Sequence, residues 1–440
     1  MRGTQCINQK GHLTIGGVDT VDLAKKYGTP LFVYDTALIR EKAEAFKKAF
    51  ETYPHIKWQV AYASKAFSSV AMVQLIHQLD LSLDVVSGGE LFTAVKAGFP
   101  AERIHFHGNN KTEEELIFAL DEQIGMIIVD NFYEIQLLEK LCMERGRTID
   151  ILLRLTPGIE AHTHDYIMTG QEDSKFGFNL GDHSIDEAIQ LTSASNYLKL
   201  NGLHCHIGSQ IFETDGFELA IKRIYQYIEN WSEKYDFEPR VLNVGGGFGI
   251  KYSKDDQPIP LKRYIDVIVN TITNESEAKG CAIPEIWVEP GRAIVGEAGT
   301  TLYSIGAYKD IPNVKKYLAV DGGMTDNLRP SLYQAKYDAV VANRANEELE
   351  ETVTVAGKCC ESGDILIQDA QLSKSVSGDI LAVFCTGAYG YSMANHYNRL
   401  PKPAVVFVEE GDAQLTMRRE TYEDLVRQDI MLQEIAKAGY

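Results

Sequence analysis

A chain of 440 residues, 45% hydrophobic and 24% charged, is too long for one ordinary core and fits two or three packed soluble domains. Its 62 acidic and 43 basic residues give a formal charge of -19. This weighs against a nucleic-acid or anionic-membrane partner, either of which would need a basic face, but leaves room for a local basic pocket that takes a small anion. No apolar run reaches membrane-spanning length, and the start "MRGTQCINQKGHLTIGG" lacks the apolar core of a signal peptide, so a cytoplasmic protein is expected. The cysteines are dispersed, odd in number and without framework spacing, which predicts free thiols.

In chain order, "HLTIGG" and "PLFVYD" read as strands within an N-terminal segment, residues 1–35, that pairs with a later β domain. The first helix is "TALIREKAEAFKKAF". From about residue 57 to 292, short β-branched runs alternate with amphipathic helical stretches. The strands are "KWQVAYA", "LSLDVV", "RIHFH", "GMIIVD", "IDILLRL", "NGLHCHI", "VLNVGG" and "EIWVEP". About eight strands in roughly 240 residues match a (β/α)8 barrel, whose usual size is about 250 residues. A doubly wound sheet is the alternative, with fewer strands as a rule. The barrel is expected over residues 36–296. From residue 297 to 440 the pattern turns strand-like, in "AVDGG", "YDAVVANRA", "ETVTVAG", "DILIQ", "DILAVFCTGAY", "PAVVFVEEG" and "AQLTMRRE", with almost no helix before "ETYEDLVRQ". This predicts an antiparallel β-sandwich or β-barrel domain.

Active sites of (β/α)8 barrels lie at the carboxyl ends of the strands, and here nearly every strand delivers polar or glycine residues to that rim. Lys65 directly follows the first strand, where a partly dry mouth would favour an imine with a carbonyl compound, although a lone lysine there also reads as a solvated charge. "GGGFG", Gly245 to Gly249, is either a tight turn or a loop whose N–H groups approach an anion, with Ser209 adding a hydroxyl. Glu289 at the end of strand eight is costly to bury unless it meets a cation or a protonated ring nitrogen. His206 is either a hydrogen-bonded core histidine or an aromatic stacking partner. His204 shares its face, but no third ligand is evident, so no metal site is expected. An imine-forming lysine, an anion cradle, an aromatic ring and a carboxylate for a pyridinium nitrogen together suit pyridoxal phosphate. Within "AGKCCESGD", the vicinal Cys359 and Cys360 have neither a chelating spacing nor good disulfide geometry, and consecutive side chains of an extended segment point to opposite sides.

The motifs "YASKAF", "HCHIGSQ", "GGGFG", "EPGR", "CESGD" and "GAYGYSMANHYN", in this order and spacing, resemble those of the fold type III pyridoxal-phosphate decarboxylases. So do "DVVSGGEL", "HGNNK", "TGQEDSKFGF" and "DNLRPSLYQAKY", and the resemblance runs from about Pro30 to Val408. Within that family it points to the members that act on meso-diaminopimelate. It implies a barrel followed by a β domain of the alanine racemase and ornithine decarboxylase kind, pyridoxal phosphate as cofactor, and loss of CO2 from meso-diaminopimelate to leave L-lysine.

The resemblance also implies residue roles. Lys65 matches the lysine that carries the cofactor, and His206 the imidazole stacked on its ring. Ser209, Gly245, Gly246, Gly247, Glu289, Pro290, Gly291 and Arg292 match cofactor contacts, with Glu289 keeping the pyridine nitrogen protonated. Tyr389 matches a tyrosine near both phosphate and substrate. Arg292, Arg329 and Tyr333 match groups that hold the substrate's distal carboxylate, Glu361 the acid that meets its distal ammonium, and Cys360 the proton donor. A homodimer is implied, with the "CESGD" loop reaching the partner's barrel mouth. Other amino-acid decarboxylases, an alanine-racemase-like enzyme and a non-catalytic cofactor binder are the competing readings. The first is opposed by Arg329, Tyr333 and Glu361 together, the second by the adjacent Cys360 and Glu361, and the third by the presence of both cofactor-side and substrate-side residues.

Overall fold

A strand that is covered on both sides needs apolar residues on one face and whatever the barrel interior demands on the other. The computed structural model, which describes residues 1–159 and 173–432, shows how the eight runs meet that demand. Strands Trp58–Ala63, Ser82–Val85, Ile104–Phe106, Met126–Val129, Ile149–Thr156, Leu198–His204, Val241–Asn243 and Glu285–Val288 pair in parallel, each with the next. Strand eight then pairs with strand one, Ile286 opposite Trp58, which closes the barrel. Part of the "TGQEDSKFGF" motif, residues 169–172, lies outside the described residues.

The period of two sorts side chains into layers. Leu83, Val85, Leu153, Leu155, Leu242, Ile286 and Val288 face outward into the large cluster shared with the surrounding helices. Met126, Ile128, Leu152, Val241 and Trp287 face inward and plug the lower barrel. Two residues beyond Leu152, Val241 and Trp287 on their strands come Arg154, Asn243 and Glu289, joined by Asp84 and His204 from strands two and six, so a polar layer follows the apolar plug. Strand six begins at Leu198, three residues before the expected "NGLHCHI", and shifts register between Leu200 and Gly202. At Gly202 a Cβ would lie 1.9 Å from the carbonyl oxygen of Val241, so only glycine allows this approach. Side-chain caps at Ser69, Ser87 and Asn131, and the reciprocal Thr112 and Glu115 box, start the helices that follow strands one to four.

The second domain is the mostly antiparallel sheet that was expected, with differences in detail. Its spine is a long strand, Gly299–Ile311, that the sequence reading passed over because Gly299, Thr300, Thr301 and Gly306 interrupt the apolar pattern. The sheet is mixed rather than purely antiparallel: Lys315–Val320 runs parallel to Glu351–Ala356, and Leu31–Asp35 lies between Gly299–Ile311 (antiparallel) and Ala404–Glu409 (parallel). "PLFVYD" thus pairs with the β domain as expected. "HLTIGG" adds no strand to that sheet: Leu13–Ile15 forms a small sheet with Cys6–Ile7 and Val18–Asp19, and it meets the β domain through Leu13 and Ile15, which share an apolar cluster with Val33, Leu302 and Val406, and through the Gly16 carbonyl, which accepts from the Gly411 N–H at 2.6 Å. A short helix, Arg329–Tyr333, was also missed. Among the described residues no helix is long and apolar enough to cross a membrane.

Candidate active site

The carboxyl ends of the barrel strands and the facing edge of the β domain enclose a cavity of about 930 Å³. Lys65, His206, Ser209, Gly246, Gly247, Glu289, Pro290, Gly291, Arg292, Arg329, Tyr333 and Tyr389 all border it, so twelve positions spread over more than 320 residues converge.

Lys65 sits in a single helical turn, Ser64–Ala66, at the end of strand one. Its side chain is exposed and borders the cavity, and its ammonium lies within electrostatic reach of Glu90 and His206. Gly291 lets strand eight's end press against this segment, since a Cβ there would stand 3.0 Å from the Ala66 Cβ. Tyr389, at a left-handed φ of 59°, donates its backbone N–H to the Ala66 carbonyl at 2.8 Å, which ties the β domain to the lysine segment.

Glu289 is the charge centre of the floor. Its Oε2 is 3.1 Å from His204 Nε2, its Oε1 is 3.2 Å from His107 Nε2, and Asn243 donates to Oε1 as well. Burial pushes its carboxyl up, but the two histidines outweigh that and hold it well below the usual carboxylate range. His107 is driven the other way, up to about 9; burial opposes its charge, while Glu289 and Asp84 favour it. His204, His107 and Glu289 bring their donor atoms within 4.8 Å of one another, so the third donor that the sequence did not suggest is present. A histidine already protonated at neutral pH is a poor metal ligand, and an ionised carboxylate facing the cavity from this floor suits a pyridinium nitrogen.

His206 accepts from the Gly246 N–H at Nδ1, 3.1 Å. Burial first, then the charges of Lys65 and Arg154, lower its pKa well below 6.5, so the ring bordering the cavity is a neutral imidazole. That hydrogen bond bears on the two readings of the glycine loop. The amides of Gly245 and Gly246 are not free to cradle an anion, because Gly245 N–H donates to Asn243 Oδ1 at 2.9 Å and Gly246 N–H to His206. Glycine is needed here for packing: at Gly245, with φ of 72°, a Cβ would be 2.6 Å from the Cys205 carbonyl oxygen, and Gly245 itself does not border the cavity.

Two arginines add anion-binding potential of their own. Arg292 is buried, donates to Ser209 Oγ at 3.0 Å and to the Tyr252 hydroxyl, and lies 4.8 Å from the Tyr389 ring. Its Nε has no hydrogen-bond partner. Arg329, equally buried, donates to the Tyr337 hydroxyl at 2.6 Å and packs over the rings of Tyr252 and Tyr337. Among the described residues neither guanidinium meets a carboxylate within ion-pair distance. Two buried cations held only by hydroxyls and rings are costly alone, and a cavity built this way fits anionic groups such as a phosphate and a carboxylate. The residues present therefore fit pyridoxal phosphate: an amine, a neutral imidazole, an ionised acid and two uncompensated guanidiniums around one space.

Cys360 and Glu361 are not in this cavity. Both are exposed, on a loop held by the buried Asp364, whose carboxylate accepts from the N–H groups of Met324 at 2.7 Å and Cys359 at 2.8 Å. The Cys360 N–H donates to Asn398 Oδ1 at 2.7 Å. The two thiols do part ways as expected: Cys359 is half-buried, its thiol pushed up to about 11 by burial and Asp364, while Cys360 faces out. Four residues that shape the site were missed. Arg154 was signalled as a charge inside the apolar strand "IDILLRL". His107 and Asn243 stand at the ends of quoted strands. Tyr252, which follows the glycine loop, carried no signal of its own.

A pyridoxal-dependent decarboxylase family, through its pyridoxal binding domain, matches residues 36–296, and the chain belongs to that family. It is 61% identical to the diaminopimelate decarboxylase of Bacillus subtilis over 98% of both chains, and 47% identical to that of Staphylococcus aureus over 96% of this chain and 98% of the other. The solved diaminopimelate decarboxylase of M. jannaschii in co-complex with L-lysine superposes with a TM-score of 0.91 at 35% identity, covering 98% of each chain. Within the family, the chain is thus a member of the diaminopimelate decarboxylases.

Proposed function

We propose that this protein converts meso-diaminopimelate to L-lysine and CO2 with pyridoxal phosphate, the last step of lysine synthesis, and that its working form is a cytoplasmic homodimer with shared sites. The observation that carries the substrate is the pair of buried guanidiniums, Arg292 and Arg329, lacking carboxylate partners beside the Lys65 amine. A substrate with an amino-acid head at each end leaves one carboxylate for them while the other end reacts. Lysine or ornithine, presented for decarboxylation, would bring no distal carboxylate and leave a buried arginine unpaired.

Lys65, His206, Ser209, Gly246, Gly247, Glu289, Pro290, Gly291, Arg292 and Tyr389 would hold the cofactor, with Gly245 shaping the loop behind them, and the cofactor when bound supplies the sink for the electron pair left by CO2. Glu289, held ionised, would favour a proton on the cofactor's ring nitrogen. Lys65 would present its amine to the cofactor's carbonyl carbon from the end of strand one. Arg292, Arg329, Tyr333 and Tyr389 orient the distal end. Glu361 and Cys360, remote from their own cavity, are read as serving a second copy: the carboxylate meets the distal ammonium, and the Cys360 thiol gives its proton to the carbon that lost CO2. On this reading residues 36–296 form the cofactor barrel and residues 297–440, with residues 1–35, the domain that completes the site.

Lys65→Ala tests the reading. The purified variant should lose the visible imine absorption and at least about a thousandfold in CO2 release, within the span of losing a group that acts directly on the reacting atoms. Unchanged turnover would refute it.

A further inference from the structure

Resting on the proposed reaction, we infer that Tyr252 is a positioning residue that seats Arg292 and Arg329 together, and so builds a two-arginine clamp for the distal carboxylate. Tyr252 follows the glycine loop of barrel strand seven, yet its side chain lies with Ile250 in the apolar cluster of the β domain. It is 6% exposed and borders the cavity. From there it touches both cations. Its hydroxyl accepts from Arg292 Nη1, and its ring lies under the Arg329 guanidinium at 4.7 Å. Tyr337 completes the seat, with its ring edge-on to Tyr252 at 5.6 Å and 89° and its hydroxyl accepting from Arg329 at 2.6 Å.

The physical need is clear. Two like charges buried near each other without counter-ions repel and would swing toward water unless something holds them. Aromatic faces and a hydroxyl hold guanidiniums without neutralising them, whereas a carboxylate would cancel the charge the substrate requires. Tyr252 is itself fixed at its backbone. Its N–H donates to Asp256 Oδ2 at 3.0 Å, and its carbonyl accepts from Arg2 Nη2 at 2.9 Å. One arginine comes from the barrel and the other from the β domain, and Tyr252 touches both.

The test compares two ligands on the holoenzyme: L-lysine, which keeps the carboxylate meant for the clamp, and cadaverine, the same diamine without it. Calorimetric binding is measured for wild type, Tyr252→Phe and Tyr252→Leu, with steady-state kinetics on meso-diaminopimelate alongside. Tyr252→Phe keeps the ring and loses the hydroxyl, so L-lysine Kd and substrate KM should rise roughly 3- to 5-fold; Tyr252→Leu loses both, and the rise should be roughly 10- to 30-fold. Cadaverine affinity should stay within about twofold and kcat within about threefold, as expected when ground-state and transition-state binding are lost together. Parallel loss of L-lysine and cadaverine binding, or a fall in kcat with KM unchanged, would overturn the proposal. If Tyr252→Leu does not fold, Tyr252→Phe decides alone: an unchanged L-lysine affinity sinks the clamp. A wild-type enzyme that ignores meso-diaminopimelate but prefers L-lysine to cadaverine would sink the reaction and leave the clamp standing.

Discussion

At the scale of single residues, the floor of the cavity is an electrostatic device whose sign can be worked out. His107 has its pKa raised to about 9 by Glu289 and Asp84, against a burial penalty that alone would lower it. A histidine whose folded pKa exceeds its unfolded value near 6.5 contributes stability that is fully present below about 6.5 and is lost as pH rises through about 9. In cofactor-free protein, wild type should therefore exceed His107→Gln in Tm by roughly 2–4 °C near pH 6, a gap that closes by about pH 10. Scanning calorimetry across that range checks it, and a gap that stays constant or widens with pH would contradict the assignment. Residues of this kind were only partly legible. Lys65 and Glu289 stand out in sequence because charge directly after an apolar strand needs a reason. His107 and Asn243 stand at the same rim, but their value depends on which carboxylate the barrel curvature brings within about 3 Å, and that is a through-space fact.

At the scale of elements, barrel strands were legible because each is a short apolar run with a polar residue at its end. The β domain was legible as strands but not as a sheet. The strand Gly299–Ile311 carries only patchy hydrophobicity because its first half pairs with Leu31–Asp35 on one side and Ile380–Phe384 on the other, while its second half pairs with Lys315–Val320. No local pattern encodes that. The loop "CESGD" is the informative element. Asp364 and Asn398 hold its backbone while Cys360 and Glu361 are exposed and outside their own cavity. If the loop serves a second copy, Cys360→Ala and Lys65→Ala should complement. Randomly mixed subunits give half heterodimers, in each of which one of the two sites carries both lesions and the other neither, so activity should recover to about a quarter of wild type. Each variant alone should lose roughly 10²- to 10⁴-fold or more. A mixture no more active than its components would place both residues in one subunit's site, or outside any site.

At the scale of the whole molecule, the barrel supplies the amine, imidazole, acid and Arg292, while the β domain supplies Arg329, Tyr333 and Tyr389. The N-terminal strand Leu31–Asp35 is built into the second domain's sheet before the first barrel helix begins, so the chain cannot close its cavity from the barrel alone. Specificity for a substrate with two charged heads is a property of this meeting. The excess of acidic residues overall makes the contrast sharper, since the guanidiniums at the cavity are a local exception to a chain of charge -19. The most direct measurement of the account is CO2 release from meso-diaminopimelate, L-lysine and L-ornithine, each with and without added pyridoxal phosphate. Release from meso-diaminopimelate alone, dependent on the cofactor and matched by equimolar L-lysine, is the predicted result. Preference for ornithine, or isomer exchange without CO2 loss, would contradict it.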